Sequence, residues 1–256
     1  MEENKHIGNQ NNSQKQIVGA ILVVGVLIAG AILLKGNKQF ELKDIPASGN
    51  EGVPVTILAP VGKEDKVIGD PQAKITLILY EDFQCPFCAA VSGLVSDTDA
   101  IKYLKKVAPN WTPFMLGIND YVKNGDMMFV PRDYAFLGPE SVRAAEAVRC
   151  AGDQNEFWEY REHLYARQNG ENQGNFSDPR LKSFAKDLNL DTASFNKCLE
   201  ENKYAQAVID SKTQGNEAGV TGTPKGFLLR NGKIFATIDG AESFTTVKQK
   251  IDNALK

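Results

Sequence analysis

Histidine is nearly missing from this chain: only His6 and His163 occur among 256 residues. Imidazole is the commonest protein metal ligand and the usual triad base, so the shortage limits both kinds of chemistry. Cysteine is scarce as well, four residues in all, with none before Cys85. That excludes a lipid-modified cysteine near the N-terminus. A structural zinc site needs about four ligands, commonly from two closely spaced pairs. Cys85 and Cys88 make one such pair, whereas Cys150 and Cys198 are far apart, so no metal is expected. Neither G-x-G-x-x-G nor G-x-x-x-x-G-K-[ST] is present, which leaves a nucleotide loop without support. No organic cofactor is expected. There is no long Lys/Arg tract, and the net charge is −3. Without a basic field, nucleic acid is not an expected partner. No internal repeat is visible. The composition is otherwise ordinary, 24 % charged and 42 % hydrophobic, which suits a packed core and not bulk disorder. The length allows one domain with an appendage, or at most two domains.

What is present first is a long apolar run, "IVGAILVVGVLIAGAILL", residues 17–34, eighteen positions without a charge. At about 1.5 Å per residue a helix there spans roughly 27 Å, close to the ~30 Å hydrocarbon core. The run exceeds the about 7–15 residues of a signal-peptide core, and no A-x-A-like site follows. The expectation is a single uncleaved transmembrane helix, with a signal peptide as the alternative. Lys5 and Lys15 precede it and Lys35, Lys38 and Lys43 follow; the lysines alone do not set the orientation. Residues 1–16 are polar and Asn/Gln-rich and read as a disordered tail. Residues 35–52 contain Gly36, Pro46, Gly49 and Gly52 and read as a tether. Residues 53–256 form the globular domain.

Within that domain, Val55–Leu58 is a candidate edge strand, and "KITLILY", residues 74–80, has the β-branched apolar character of a buried one. A helix is expected to begin at the CPFC segment with Pro86 in its first turn. A second helix covers 99–107. Residues 126–136 hold another strand, and Pro131 requires it to be an edge or to end early. Five stretches of helical spacing follow, at 139–151, 155–168, 178–190, 191–202 and 205–219. Asn231-Gly232 between "GFLL" and "KIFATI" signals a two-residue hairpin. A last helix presents Phe244, Val247, Ile251 and Leu255 on one stripe. The order is that of an α/β sheet with a helical insertion at about 139–218.

Cys85-Pro86-Phe87-Cys88 is a poor structural staple, because a disulfide closing so small a loop constrains the unfolded chain little. A reactive pair fits better. A cysteine at a helix start faces unpaired N–H groups, which favour thiolate over thiol. Stabilising the reduced form makes the disulfide a stronger oxidant.

"ITLILYEDFQCPFC", the helical block and "GVTGTPKGFLL" together resemble the DsbA-like thiol:disulfide oxidoreductases of the thioredoxin superfamily, over nearly all of residues 57–256. The resemblance implies a thioredoxin fold with an inserted helical domain and a redox-active Cys85–Cys88 pair. Cys85 would be the exposed, attacked sulfur and Cys88 the shielded one. It implies that Pro224 is cis and lies against that pair, preceded by Thr223, with Pro86 and Phe87 as supporting residues. The backbone beside Pro224 would pair with extended substrate, and Tyr80, Phe83 and Phe87 would offer apolar contact or pack in the core. Implied partners are reduced exported proteins and a quinone-linked membrane reoxidase. The domain would then lie outside the cytoplasm, in the periplasm or at the cell surface.

Three departures stand out. Relatives often have an acid six positions before the first cysteine, where this chain has Leu79. Glu81 and Asp82 lie nearer the motif, as buried proton acceptors or as solvated charges at a strand end. Phe87 replaces the histidine of some oxidising relatives, which predicts a less extreme potential. The stretch from Val91 to Leu116 is longer than usual. Cys150 and Cys198 fall near helix ends; an even count outside the cytoplasm favours a disulfide between them, with two free buried thiols as the alternative. Relatives often carry such a bond. A reductase or isomerase of the same fold competes with the oxidase reading, although no dimerisation domain supports an isomerase. A tethered binding module is a further alternative.

Overall fold

A computed structural model describes residues 57–256. The expected tail, transmembrane helix and tether lie outside the described residues. Among the described residues no helix is long and apolar enough to cross a membrane.

Strand β1 (Ile75–Glu81) is buried at every position but Thr76. That matches its mostly apolar sequence, since a strand covered on both faces shows no alternation. It pairs in parallel with β2 (Met127–Asp133) on one side and antiparallel with β3 (Lys225–Arg230) on the other. Strand β4 (Lys233–Asp239) completes the order β2-β1-β3-β4. Pro131 sits opposite Leu79 on an edge strand, where a proline is tolerated, and β2 continues past it to Asp133. The β3–β4 turn has positive φ at both Asn231 (51°) and Gly232 (74°), as a two-residue primed turn requires. Ile57 and Leu58 are irregular. The strand expected at 55–58 is therefore not seen in its described half, and Ile68 bridges Phe129 instead.

Three helices separate β1 from β2. Helix α1 (Pro86–Ser92) ends at Gly93, φ 76°. Helix α2 (Asp99–Val107) is capped by the Thr98 side chain. Helix α3 (Phe114–Lys123) was not expected from the sequence. Pro113 and Gly117 punctuate that stretch as a loop would. Pro113 instead precedes the first turn, and Gly117 lets the Phe244 ring approach: a Cβ there would come within 2.1 Å of it. Phe114, Met115 and Ile118 supply the buried face.

The helical block between β2 and β3 comprises α4 (Pro139–Gly152), α5 (Phe157–Ala166), α6 (Asp178–Asp187), α7 (Thr192–Glu200) and α8 (Ala205–Glu217). Its core combines alanines of α4 with Tyr160, Leu164, Phe184, Phe195 and Leu199. Helix α9 (Phe244–Leu255) closes the domain on Val247, Ile251 and Ala254, with Phe244 and Leu255 half-buried. The domain is a mixed α/β fold of the thioredoxin type.

Candidate active site

The end of β1 turns directly into α1. The Cys85 N–H donates to the Asp82 carbonyl at 3.0 Å, which folds the chain back at the strand end. Cys85 itself takes the N-cap position with extended backbone (φ −68°, ψ 116°), and Pro86 follows at the first helical position. Proline suits that place because its missing N–H has no intrahelical partner to lose. Cys85 and Cys88 are free thiols. A second segment comes across from the start of β3: the Cys85 thiol donates to the Thr223 carbonyl at 3.3 Å. The Thr223-Pro224 peptide is cis. The Thr223 hydroxyl is buried and makes no hydrogen bond in the structure.

The two thiols differ in acidity. A hydrogen bond from the Cys88 thiol holds Cys85 below the ordinary thiol value, against the cost of burial. The Thr223 hydroxyl and the N–H groups of Cys88 and Phe87 add to the same effect. Burial pushes the Cys88 thiol well up, and Cys85 beside it pushes it further. Cys85 therefore ionises first, and Cys88 keeps its proton. The exposed Cys85 implied by the resemblance is not what the structure has. Cys85 is 4 % exposed and Cys88 2 %, so both sulfurs sit in the core, and acidity separates them more than access does. Beside the Pro224 segment is a cleft of about 320 Å³ lined by Thr221, Gly222, Thr223, Pro224 and the Lys225–Asp239 ion pair. Pro86 and Phe87 are half-buried. The Phe87 ring meets Tyr103 of α2 edge-on at 6.3 Å. Tyr80 and Phe83 are core residues, 0 % and 2 % exposed.

Both acids before the motif are buried: Glu81 is 4 % exposed and Asp82 1 %. The reading of them as solvated strand-end charges is therefore corrected, and the reason is that each has partners from distant chain. Glu81 lies two residues beyond Leu79, on the same face of β1. Its carboxylate is gripped at both oxygens by Arg161 of α5, at 2.6 and 2.5 Å. The Arg161 guanidinium lies over the rings of Tyr165 (5.1 Å) and Phe129 (5.5 Å). Burial opposes its charge, but Glu81 holds it protonated above its ordinary value. Burial likewise raises Tyr165, whose hydroxyl has no hydrogen-bond partner. Asp82 accepts from Gln84 N–H (2.8 Å), Ser141 Oγ (2.7 Å), Phe136 N–H (2.9 Å) and Leu137 N–H (3.1 Å). It ties the turn before Cys85 to the entry of the helical block.

Sequence reasoning missed Arg161. The available signal was a lone arginine inside the apolar stripe formed by Phe157, Tyr160, Leu164 and Tyr165. Cys150 and Cys198 are joined as a disulfide between α4 and α7, with Cα atoms 5.9 Å apart. Among the described residues no cluster of His, Cys, Asp and Glu could hold a metal ion.

Neighbouring thiols of unequal acidity, set where the first helix of a thioredoxin-like sheet opens, are equipped for thiol–disulfide exchange. This is the site chemistry that defines dithiol oxidoreductases as a class. Residues 76–252 match the family model described as DSBA-like thioredoxin domain, and the chain belongs to that family. Among similar proteins is the probable disulfide bond formation protein D of Bacillus anthracis, 21 % identical over 93 % of each chain. The Na(+)/H(+) antiporter NhaA 1 of Salinispora arenicola is 28 % identical over 70 % of this chain, which spans only 24 % of that relative's length. Among solved structures, oxidised BdbD of Bacillus subtilis superposes with TM-score 0.59 at 21 % identity, covering 77 % of this chain and 95 % of that one. Wolbachia pipientis alpha-DsbA1 gives 0.60 at 22 %, covering 77 % and 94 %.

Proposed function

We propose that this chain is an extracytoplasmic thiol:disulfide oxidoreductase that introduces disulfides into exported proteins, with Cys85 and Cys88 as its catalytic pair. The observation that carries this reading is a free thiol pair at the opening turn of α1, with Cys85 against the carbonyl that precedes cis Pro224; hydrogen bonding lowers Cys85, and burial raises Cys88. A stabilised Cys85 thiolate favours the dithiol product, so the disulfide is the better oxidant.

In the forward reaction a substrate thiolate attacks Sγ of Cys85 in the oxidised pair. The Cys85–Cys88 bond breaks, and its electron pair leaves on Cys88, which takes up a proton because burial disfavours its charge. Substrate and Cys85 are now joined as a mixed disulfide. A second substrate thiolate attacks the substrate sulfur of that bond, and Cys85 departs as a thiolate. The more acidic a thiol, the faster its thiolate departs, so the lowered pKa of Cys85 suits this second step. Two electrons and two protons pass from two substrate thiols to the pair and to solvent. Thr223, Pro224, Pro86 and Phe87 frame the sulfur, and the cleft beside Pro224 offers backbone for strand addition by an extended substrate.

Members of this family act on reduced proteins and are reoxidised by a membrane partner; a quinone-linked membrane protein is proposed here. An anchor at 17–34 and a tether at 35–52 would hold the 53–256 domain in the same plane as that partner and raise its effective concentration. None of the antiporter relatives' activity is carried over to this chain.

Reduction potential and thiol trapping in cells test the direction of electron flow. A potential above about −150 mV with a mostly oxidised pair is the expected result. A value near −270 mV with a mostly reduced pair would hand the assignment to a reductase of the same fold.

A further inference from the structure

Two side chains from the loop after α5 reach back to the residue just before Cys85. Gln84 is 0 % exposed, and all of its polar groups are engaged. Its N–H donates to Asp82 Oδ1 at 2.8 Å, and its carbonyl accepts from Gln168 Nε2 at 2.7 Å. Its Nε2 donates to Ser141 Oγ at 2.9 Å and to Asn172 Oδ1 at 3.3 Å, while its Oε1 accepts from the Asn172 N–H. Asn172 Nδ2 in turn donates to the Leu137 carbonyl at 2.7 Å.

The loop that supplies these contacts is exposed from Asn169 to Gly174, yet it is fixed in place. Glu140, in the first turn of α4, accepts from the N–H groups of Gly174 (2.8 Å) and Phe176 (2.7 Å). Asn172 has φ 52°. It lies so close to Gly138 that a Cβ there would come within 2.5 Å of its side-chain oxygen.

Asp82 fixes the start of α1 from the strand side, through the N–H groups of Gln84 and Cys85, whereas the Gln84 carbonyl and side chain are held by the loop and by Ser141. The helix is seven residues long, and its N-cap, Cys85, makes no capping side-chain bond. Hydrogen bonds weaken steeply as their angle closes, so a small rotation of the Gln84–Cys85 peptide would turn the sulfur away from the opening turn.

We propose that Gln168 and Asn172 are positioning residues for thiol exchange, clamping the Gln84–Cys85 peptide so that Cys85 Sγ stays over the first turn of α1 and against the Thr223 carbonyl. This rests on the reading of Cys85 as the attacked sulfur.

The test is alkylation of the reduced protein by iodoacetamide as a function of pH, followed at Cys85, in a Gln168→Ala/Asn172→Ala double variant. Neither side chain belongs to the hydrophobic core, and Gln168→Ala/Asn172→Gly removes the same groups without the strain that alanine meets at φ 52°. The alkylation rate at neutral pH is expected to fall about five-fold, the scale of one lost hydrogen bond. The midpoint moves to higher pH, and the reduction potential becomes less oxidising. Gln173→Ala serves as the control, because Gln173 donates only within the loop, to the Glu171 carbonyl; it is expected to leave the profile unchanged. A wild-type profile in the double variant, even with a lower thermal midpoint, would show a merely structural role and overturn the proposal. An equal shift in Gln173→Ala would overturn it too. Alkylation follows the sulfur whichever way electrons flow. A reducing potential in the wild type therefore defeats the oxidase reading alone, and an unmoved profile in the double variant defeats this one alone.

Discussion

The chain holds two pairs of cysteines within one fold, and their surroundings differ more than their burial does. Cys150 and Cys198 are 1 % and 7 % exposed and bonded across 48 residues, between helices whose facing surfaces are alanine, leucine and phenylalanine. Cys85 and Cys88 are 4 % and 2 % exposed and unbonded. Around them lie the Thr223 carbonyl and hydroxyl, the N–H groups of the opening helical turn, and a charged pair within the same core. Burial is common to both pairs. What separates a reactive sulfur from an inert one here is the supply of donors that favour thiolate.

Serine substitution in each pair tests this contrast most severely. Cys85→Ser is expected to abolish disulfide transfer to a reduced substrate. Cys150→Ser/Cys198→Ser is expected to retain transfer while losing about 2–4 kcal/mol of stability, because a long loop is no longer closed in the unfolded chain. Denaturant unfolding and a transfer assay on both variants decide the matter. Transfer that survived Cys85→Ser would leave a tethered binding module as the better account.

The charged pair gives the next largest effect. Removing one partner of a buried ion pair leaves the other uncompensated, at a cost of about 3–5 kcal/mol. Arg161→Met is expected to show that loss, and Glu81→Leu/Arg161→Met to recover much of it. If Arg161→Met unfolded at the wild-type denaturant midpoint, the Glu81–Arg161 contact would carry no weight in the core beside the reactive pair.

Much of this contrast was legible before any coordinates, and the rest was hidden for identifiable reasons. Short-range signals survived: the apolar run of β1, Pro86 at a helix start, Asn231-Gly232 at a hairpin, and alternation of helical stripes from Pro139 onward. Pro131 was read as an edge or a premature end, and only the edge holds. Helix α3 was obscured by Pro113 and Gly117, whose roles depend on what packs against them. Glu81 and Asp82 could not be placed inside or outside, because their partners lie far along the chain: Arg161 is 80 residues from Glu81, and Ser141 is 59 from Asp82. Gln84 and Asn172, 88 residues apart, carried no local signal at all. The pattern is physical. Propensity and periodicity report on neighbours in sequence, whereas buried polar groups are resolved by partners that only the tertiary fold brings near.

The smallest effect, and the finest probe of the reactive pair, is at Thr223. Thr223→Val keeps the shape and removes the hydroxyl, one of the groups that lower Cys85. That group ranks behind the Cys88 thiol in lowering Cys85, so only part of the acidity is lost. The alkylation rate of Cys85 at neutral pH is expected to fall about three-fold, within the range for one hydrogen bond. Stability gives an independent reading. A thiol whose folded value is depressed stabilises the reduced protein above its unfolded value, about 8.5, and that contribution is lost as pH falls through the folded value. The oxidised protein has no titrating thiol at this pair. The stability difference, reduced minus oxidised, is therefore expected to rise with pH between the folded Cys85 value and the ordinary thiol value. Above that window Cys88, pushed up by burial, works in the opposite sense. In Thr223→Val the window narrows from its lower end and the rise shrinks. Parallel pH profiles for reduced and oxidised wild type would mean that Cys85 is an ordinary thiol, and the contrast between the two pairs would reduce to which one happens to be bonded.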